Sequence, residues 1–274
     1  MTVSTMSSVS RVKAAYADIK PAGGDTATPL NLSKRLRAIE QYAAIDGKQI
    51  LDCGCGAGEY VQAFLNRGAE AWGIEFSKEK VASSRADLGG RLAVGDLADI
   101  AVRDSTIDIA LLNEVLEHVP DERRVLREVY RVLRPGGTLV LFSPNRRYPF
   151  ETHGSTLKIS GRRVPHYVPL IPYIPLGLAT TFLDFWARNY WPGELRRLVT
   201  DAGFIVARTD FVWQTFEGIS SHQPRLITWL RPMLRIASNT LERVPFLRSL
   251  GVSQVVVARK PVGREAQQWP GSCK

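Results

Sequence analysis

Short apolar runs alternate with amphipathic stretches between residues 49 and 143. The apolar runs predict buried strands, and the stretches whose apolar positions recur at helical spacing predict helices. Strands alternating with helices favour right-handed crossovers and a mostly parallel sheet covered on both faces. The predicted strands are 49–52, 70–75, 91–95, 107–112 and 138–143, and the predicted helices are 33–44, 58–67, 78–86 and 121–133.

The alternation stops after residue 145 and resumes at a predicted helix, 192–202, which ends at Gly203. Predicted strands follow at 204–209 and 253–258. The intervening segments therefore look like insertions into an α/β core. We predict a flexible arm (1–30), the main core (31–145), an inserted lid or substrate segment (146–191), a core helix and strand (192–213), an inserted amphipathic segment (214–250), a last core strand (251–260) and a C-terminal tail (261–274).

Charge is distributed unevenly along the chain, whose net charge is +9. Residues 1–145 hold 18 basic and 19 acidic residues, a net charge of −1, whereas residues 146–274 hold 18 basic and 8 acidic residues, a net charge of +10. The excess predicts a surface that meets anions, such as nucleic acid, an anionic membrane or an acidic substrate. The alternative is an ordinary solvated basic surface.

Cysteine usage and the first residues bear on the compartment. The three cysteines are Cys53, Cys55 and Cys273, and their positions suggest neither a disulfide framework nor a Cys/His metal site. The first ten residues have no apolar core and no basic start, so they do not predict a signal peptide. We expect a cytoplasmic protein without a structural metal.

A glycine-rich turn follows the first predicted strand, in LDCGCGAG at 51–58. Glycines allow a ligand to approach the backbone closely, and ligands of such sheets bind at the carboxyl ends of strands. Here Gly54, Gly56 and Gly58 recur at every second position and Glu59 follows. This spacing differs from the Gly-x-Gly-x-x-Gly pattern of dinucleotide sites and disfavours a dehydrogenase.

Acidic residues stand at the ends of the next two predicted strands. Glu75 lies where an acid would accept hydrogen bonds from ribose hydroxyls. Asp96 could accept from an adenine amino group, while Leu97 covers the ring. A single acid at a strand end is usually a solvated cap, so the prediction of a nucleoside site depends on the ordered set.

The chain resembles the class I S-adenosylmethionine-dependent methyltransferases, in particular the group that includes ubiquinone-biosynthesis O-methyltransferases. The resemblance covers residues 50–145, through LDCGCGAG, WGIEFS, VGDLADI, DIALLNEVLEHVPD and LRPGGTLVLFSPN, with a weaker match at YWPGELRRLVTDAGF. It implies a Rossmann-like α/β fold whose seven-stranded, mostly parallel sheet has one antiparallel strand. It also implies that S-adenosyl-L-methionine is bound by Asp52, Gly54, Gly56, Gly58, Glu75, Phe76, Asp96, Leu97 and Asn113.

The resemblance implies in-line methyl transfer to a small acceptor. We favour a lipophilic acceptor that is methylated on an oxygen atom. An oxygen acceptor must lose a proton, which calls for a base whose pKa is near neutral. His118, after the fourth strand, and His153, after the fifth, are the candidates, and Glu151 could orient His153 and raise its basicity. Each could instead be a structural residue. His166 and His222 are weaker candidates.

Both inserted segments combine apolar, aromatic and basic residues. Residues 164–183 carry no Lys, Arg, Asp or Glu, but four prolines within them exclude a simple transmembrane helix. Residues 225–236 place apolar side chains at helical spacing among arginines, as an interfacial amphipathic helix does. We predict a peripheral enzyme that takes a lipophilic acceptor near the inner face of an anionic membrane. Ordinary core packing is the alternative for both segments.

Two other functions are compatible with the sequence. One is an RNA or tRNA methyltransferase that uses the basic C-terminal half, although the absence of a recognised RNA-binding module and of a Lys-rich arm disfavours nucleic acid as a partner. The other is a non-catalytic cofactor-binding scaffold that activates a partner subunit.

Overall fold

A seven-stranded sheet forms the centre of the protein. The computed structural model describes residues 29–84, 86–165, 168–216 and 225–263. The sheet strands are β1 (Gln49–Cys53), β2 (Glu70–Glu75), β3 (Leu92–Val94), β4 (Ile107–Asn113), β5 (Leu133–Pro144), β9 (Ile205–Val212) and β10 (Ser253–Arg259).

The strand order is β3-β2-β1-β4-β5-β10-β9, and β10 runs antiparallel to both of its neighbours. The predicted fold class is therefore confirmed. Because β2 and β4 pair with opposite sides of β1, the chain reverses its direction of winding there. A crevice at the carboxyl ends of strands forms at such a switch point.

Helices cover both faces of the sheet because successive strand residues point to opposite sides. Leu51 and Cys53 belong to a core that Val125 and Val129 complete from one face, whereas Ile50 belongs to the core on the other. The helices are α1 (Pro29–Glu40), α2 (Glu59–Leu65), α3 (Lys78–Ala82), α4 (Glu122–Val132), α5 (Leu176–Phe182), α6 (Pro192–Asp201), α7 (Arg225–Arg243) and α8 (Pro245–Arg248).

Residues 134–137, which lie between the predicted helix 121–133 and the predicted strand 138–143, form a bulge inside β5. In the pairing of β4 with β5, Ile107 lies opposite Leu133 and Ile109 lies opposite Thr138. Four residues of β5 therefore protrude opposite one residue of β4. Gly136 has φ 80° there, a backbone conformation that glycine adopts at no steric cost. The predicted boundaries of the core strands otherwise agree with the structure within a few residues.

The first inserted segment, which we call the cap, contains a small sheet that is separate from the central one. Strands β6 (Ser155–Leu157), β7 (Arg163–Val164) and β8 (Leu183–Phe185) make a small antiparallel sheet in the order β7-β6-β8. A 3₁₀ helix, Ile171–Tyr173, and α5 pack beside it. The prolines break this segment into short elements. Within the described ranges, no helix has both the length and the apolar character needed to cross a membrane.

The second inserted segment is a long helix that continues through Pro232. Trp229, Met233 and Ile236, one helical turn apart from each other, are exposed at 77%, 66% and 68%. The other side of the segment is anchored to the core, where Lys34 of α1 forms an ion pair with Glu242. The exposed side of this helix therefore carries large apolar residues, whereas the alternative of ordinary core packing would place them inside.

Candidate active site

The glycine-rich turn depends on backbone conformations that side chains rarely allow. Gly54 and Gly58 have φ of 85° and 94°. A Cβ atom at Gly54 would collide with the side chain of Val115, and one at Gly58 would lie 2.6 Å from Cδ1 of Leu88. The turn therefore passes close to its neighbours, and it is fixed against β2 by the N–H groups of Gly54 and Cys55, which both donate to the carbonyl of Ile74.

Glu75 connects this turn to the end of β2. The backbone N–H of Gly56 donates to Oε2 of Glu75 at 3.0 Å, and that of Ser77 donates to Oε1 at 3.0 Å. The side chain is 7% exposed. A carboxylate can accept about four hydrogen bonds, so Glu75 keeps acceptor sites for ligand hydroxyls while it holds the turn.

Asp52 is a buried acid at the carboxyl end of β1. Among the described residues, none forms a hydrogen bond with its Oδ2, and Asp52 is only 2% exposed. Burial, helped by the nearby charges of Glu75 and Glu59, raises the pKa of Asp52 to about 8. An unpartnered buried carboxyl at a ligand crevice suits a cationic group of the ligand.

The predicted adenine residues lie at the same edge, after β3. Asp96 is exposed, and its Oδ1 accepts a hydrogen bond from the backbone N–H of Ala98 at 2.9 Å. Leu97 is buried in the core, while Phe76 after β2 is 48% exposed. The Asp96 carboxylate thus caps the turn that Asp96 begins, and its remaining acceptor positions face solvent.

Asn113 ends β4 and is held by a residue that sequence reasoning missed. Arg35 of α1 is 4% exposed and donates to Oδ1 of Asn113, to Oε1 of Glu114 at 2.8 Å and to Oγ of Ser253 at 2.9 Å. Its guanidinium lies 4.9 Å from the ring centre of Phe142. The amphipathic pattern of α1 gave no signal that one of its cations points inward.

His118 and His153 come together beyond the end of β4, as their positions after neighbouring strands suggest. Their ring centroids are 5.1 Å apart, and Nε2 of His153 lies 3.6 Å from Oε1 of Glu117. Burial and His153 lower the pKa of His118 to about 4, while burial and Glu114 raise the pKa of Glu117 well above its ordinary value. Glu117 lies within the stretch DIALLNEVLEHVPD, but the sequence alone indicates no role for it.

Glu151 is buried and holds the loop that carries His153. Its Oε1 accepts a hydrogen bond from the backbone N–H of His153 at 3.0 Å, and its Oε2 accepts one from Nδ2 of Asn189 at 2.6 Å. The carboxylate recorded beside the imidazole is that of Glu117, so orientation of the ring by Glu151 stays a prediction. His166 and His222 lie outside the described residues.

Glu117, His118 and His153 also form a group with the geometry of a metal site. Each offers one ligand atom, and these atoms lie within 4.8 Å of one another. One carboxylate and two imidazoles are ligands that divalent transition metals accept. No spacing in the sequence revealed this set, because its members come from two separate segments.

A cavity of about 610 Å³ opens next to this group. Glu117 and His118 contribute to one wall, and the first inserted segment supplies much of the rest. The apolar part of the lining includes Ile171, Ile174, Leu176, Leu183, Phe185 and Trp186. The volume is within the range of small-molecule sites, and the lining suits an apolar molecule.

These residues fit S-adenosylmethionine, the cofactor implied by the sequence. The turn offers close backbone approach, Glu75 offers acceptors for ribose hydroxyls, and the unpartnered acid Asp52 matches a ligand that carries positive charge. All three lie at the carboxyl ends of adjacent strands. Gly56 belongs to the same turn.

Comparisons with known proteins identify relatives of this chain among methyltransferases. A methyltransferase domain family matches residues 51–141. The ubiquinone biosynthesis O-methyltransferase of Chromobacterium violaceum is 37% identical over 177 residues, which are 62% of this chain and 69% of that protein. An uncharacterized methyltransferase of Mycobacterium sp. (strain KMS) is 38% identical over 120 residues, 43% of this chain and 48% of its own. The chain thus spans about half the length of this mycobacterial relative.

Solved structures share the fold at low identity. An S-adenosylmethionine-dependent methyltransferase from Mesorhizobium loti aligns with a TM-score of 0.52 and 23% identity, covering 82% of this chain and 96% of that one. A Haloferax volcanii methyltransferase, solved in complex with the Trm112 methyltransferase activator, aligns with a TM-score of 0.57 and 19% identity, covering 92% and 98%. At these identities the likeness concerns the fold alone.

The first prediction concerns Glu75. Replacing Glu75 with Ala should weaken binding of S-adenosylhomocysteine by about tenfold or more, because ligand hydroxyls and the Gly56 N–H lose their acceptor. Isothermal titration calorimetry measures the affinity. The matched control is Glu70→Ala at the exposed start of the same strand, which should bind like wild type. Equal affinities for the Glu75 variant and wild type would contradict the assignment.

The second prediction concerns the protonation of Asp52. Since the free protein holds this pKa near 8, pairing with the ligand's ammonium requires Asp52 to release a proton at lower pH. Affinity for S-adenosylhomocysteine should therefore rise with pH below that value, by up to about tenfold per pH unit, and then level off. Calorimetry in buffers of different ionisation enthalpy counts the released proton. Asp52→Asn should show neither effect, and wild-type binding without proton release would argue against the pairing.

Proposed function

Because the chain belongs to the S-adenosylmethionine-dependent methyltransferase family, we propose that it transfers a methyl group to an oxygen atom of a small, lipophilic acceptor. The observation that carries this proposal is the largely apolar cavity beside His118 and His153. The Chromobacterium relative is an O-methyltransferase by name, which supports oxygen as the attacked atom.

The cofactor is S-adenosylmethionine, which supplies an electrophilic methyl group on a cationic sulfur. The protein's part is to hold the reacting atoms in line and away from water. Asp52, Glu75 and the glycine turn would bind the cofactor, and Arg35 holds Asn113 at the end of β4 through a buried hydrogen bond. Because Arg35 is itself held by Glu114 and Ser253, Asn113 has little freedom to move.

The acceptor would enter the cavity with its hydroxyl group towards His118 and His153. An apolar body would displace water from the walls formed by the first inserted segment, which favours binding in proportion to the apolar area buried. A cavity of this size suits one small molecule, which favours a small acceptor over RNA. The excess of basic charge on the C-terminal half is the remaining support for the RNA alternative.

Removal of the acceptor proton would be the work of His153. His118, with a pKa of about 4, is neutral at pH 7 and too weak a base to take the proton effectively. His153 lies beside Glu117, whose carboxyl, once it has lost its own proton, would stabilise the imidazolium ion that forms. A divalent cation on Glu117, His118 and His153 would instead lower the pKa of the bound hydroxyl.

A membrane surface is the proposed source of a lipophilic acceptor. Trp229, Met233 and Ile236 of α7 and Phe246 of α8 expose large apolar side chains, and Arg243 is exposed among them. Apolar residues flanked by arginines bind the interface of anionic bilayers. We propose a peripheral enzyme acting at the cytoplasmic face of such a membrane.

The third prediction concerns His153 as the base that removes the acceptor proton. His153→Ala should lower turnover about a hundredfold and leave affinity for S-adenosylhomocysteine unchanged, because the base acts on the acceptor alone. Turnover is followed as S-adenosylhomocysteine formation, with an acceptor found by a phenol and catechol screen. Glu117→Gln should lower turnover less severely if it only supports the imidazole.

Metal dependence distinguishes the alternatives in the same assay. Full activity in the presence of a chelator supports His153 as the base, whereas loss restored by added divalent metal supports a cation at the three-residue group. Unchanged turnover in both His153→Ala and Glu117→Gln would remove this group from the catalytic machinery.

The fourth prediction concerns the membrane. The protein should float with vesicles that contain anionic phospholipid and should remain unbound with neutral phosphatidylcholine vesicles. Replacing Trp229, Met233 and Ile236 together with Gln should abolish flotation and leave S-adenosylhomocysteine binding intact, because these side chains lie outside the core. Asn239→Gln on the same helix is the control. Equal recovery with and without anionic vesicles would contradict the proposed membrane contact.

A further inference from the structure

The basic residues that line the acceptor cavity differ in whether an acidic side chain pairs with them. Nζ of Lys158 lies 3.5 Å from Oδ1 of Asp184. Arg188 forms an ion pair with Glu122 at 2.6 Å and a second one with Glu194. Each of these two cations therefore has an acidic partner of its own.

Arg146 is the exception among the cavity's cations in the described part of the chain. Its recorded side-chain hydrogen bonds go to two neutral backbone carbonyls, from Nε to Pro172 at 2.6 Å and from Nη2 to Ile174 at 2.9 Å. Its guanidinium lies 5.4 Å from the ring centre of Trp191. The side chain is half-buried, so solvent replaces a counter-ion only in part.

These contacts also fix where the charge lies. Arg146 is the second residue after β5, the strand whose carboxyl end borders the crevice, and its backbone N–H donates to the carbonyl of Tyr190 at 3.0 Å. Two carbonyls and an aromatic ring therefore hold a planar guanidinium in the cavity wall. A guanidinium fixed in this way, with one nitrogen outside these bonds, is organised to bind a carboxylate.

We propose that Arg146 is a specificity-determining residue that binds a carboxylate group of the acceptor. This inference rests on the proposed function, because it treats the cavity as the acceptor site. One uncompensated charge matches a monoanion, and the surrounding apolar wall accommodates the rest of the molecule. The acceptor class is then a hydroxylated apolar compound that carries one carboxylate, with the hydroxyl towards His118 and His153.

A pair of matched probes tests this inference without knowledge of the acceptor. Decanoate and decanol share an apolar chain and differ in charge, and both are titrated by calorimetry into protein saturated with S-adenosylhomocysteine. Wild type should bind decanoate about tenfold more tightly than decanol, as expected for a charge-assisted hydrogen bond. Arg146→Gln should abolish this difference by weakening decanoate alone, and Arg146→Lys should keep part of it.

The ratio of the two affinities separates recognition from structural damage. Arg146→Gln also removes bonds to the first inserted segment, and damage to the cavity would weaken both probes equally. Arg147→Gln, a change at the adjacent exposed arginine, should behave like wild type. Equal binding of the probes by wild type, or equal weakening of both in Arg146→Gln, overturns the inference. Absence of S-adenosylhomocysteine binding in the same samples would contradict the proposed function and leave the probe ratio measurable.

Discussion

The hydrogen bond from the Gly56 N–H to the Glu75 carboxylate joins the two strands on which the site depends. It connects the turn after β1 to the end of β2, so the backbone that would meet the cofactor and the acid that would bind its ribose are positioned together. The turn can lie there because Gly54 and Gly58 adopt left-handed conformations next to bulky side chains. The rest of the site is arranged around this edge.

A second buried interaction fixes the end of β4, next to this edge of the sheet. Arg35 crosses from α1 to Asn113 and Glu114 at the end of β4, and Ser253 of β10 completes its bonds. Removing one partner would leave a buried charge without compensation, which is costly. The helix before the first strand is therefore part of the site, although it contributes no residue to the motifs of the family.

The strands could be predicted because they depend on local patterns, and the resemblance to the family indicated candidate cofactor residues at their ends. In β2, residues 71–74 form a short apolar run between two glutamates, and the glycines after β1 recur at every second position. The cap formed by residues 146–191 could not be predicted, because its short strands and prolines carry no period. Arg35, Glu117 and Arg146 were also missed, since their roles arise from contacts between segments distant in the chain. The bulge at 134–137 could not be distinguished from a turn between two elements, because glycine and proline mark either feature.

We expect the turn after β1 and the acid ending β2 to bind S-adenosylmethionine. Calorimetric titration of the wild-type protein with S-adenosylhomocysteine, compared with titration by NAD under the same conditions, measures this binding. One molecule of S-adenosylhomocysteine should bind per chain, and NAD should give no heat of binding. Binding of NAD, or absence of binding by folded protein with S-adenosylhomocysteine, would contradict this expectation.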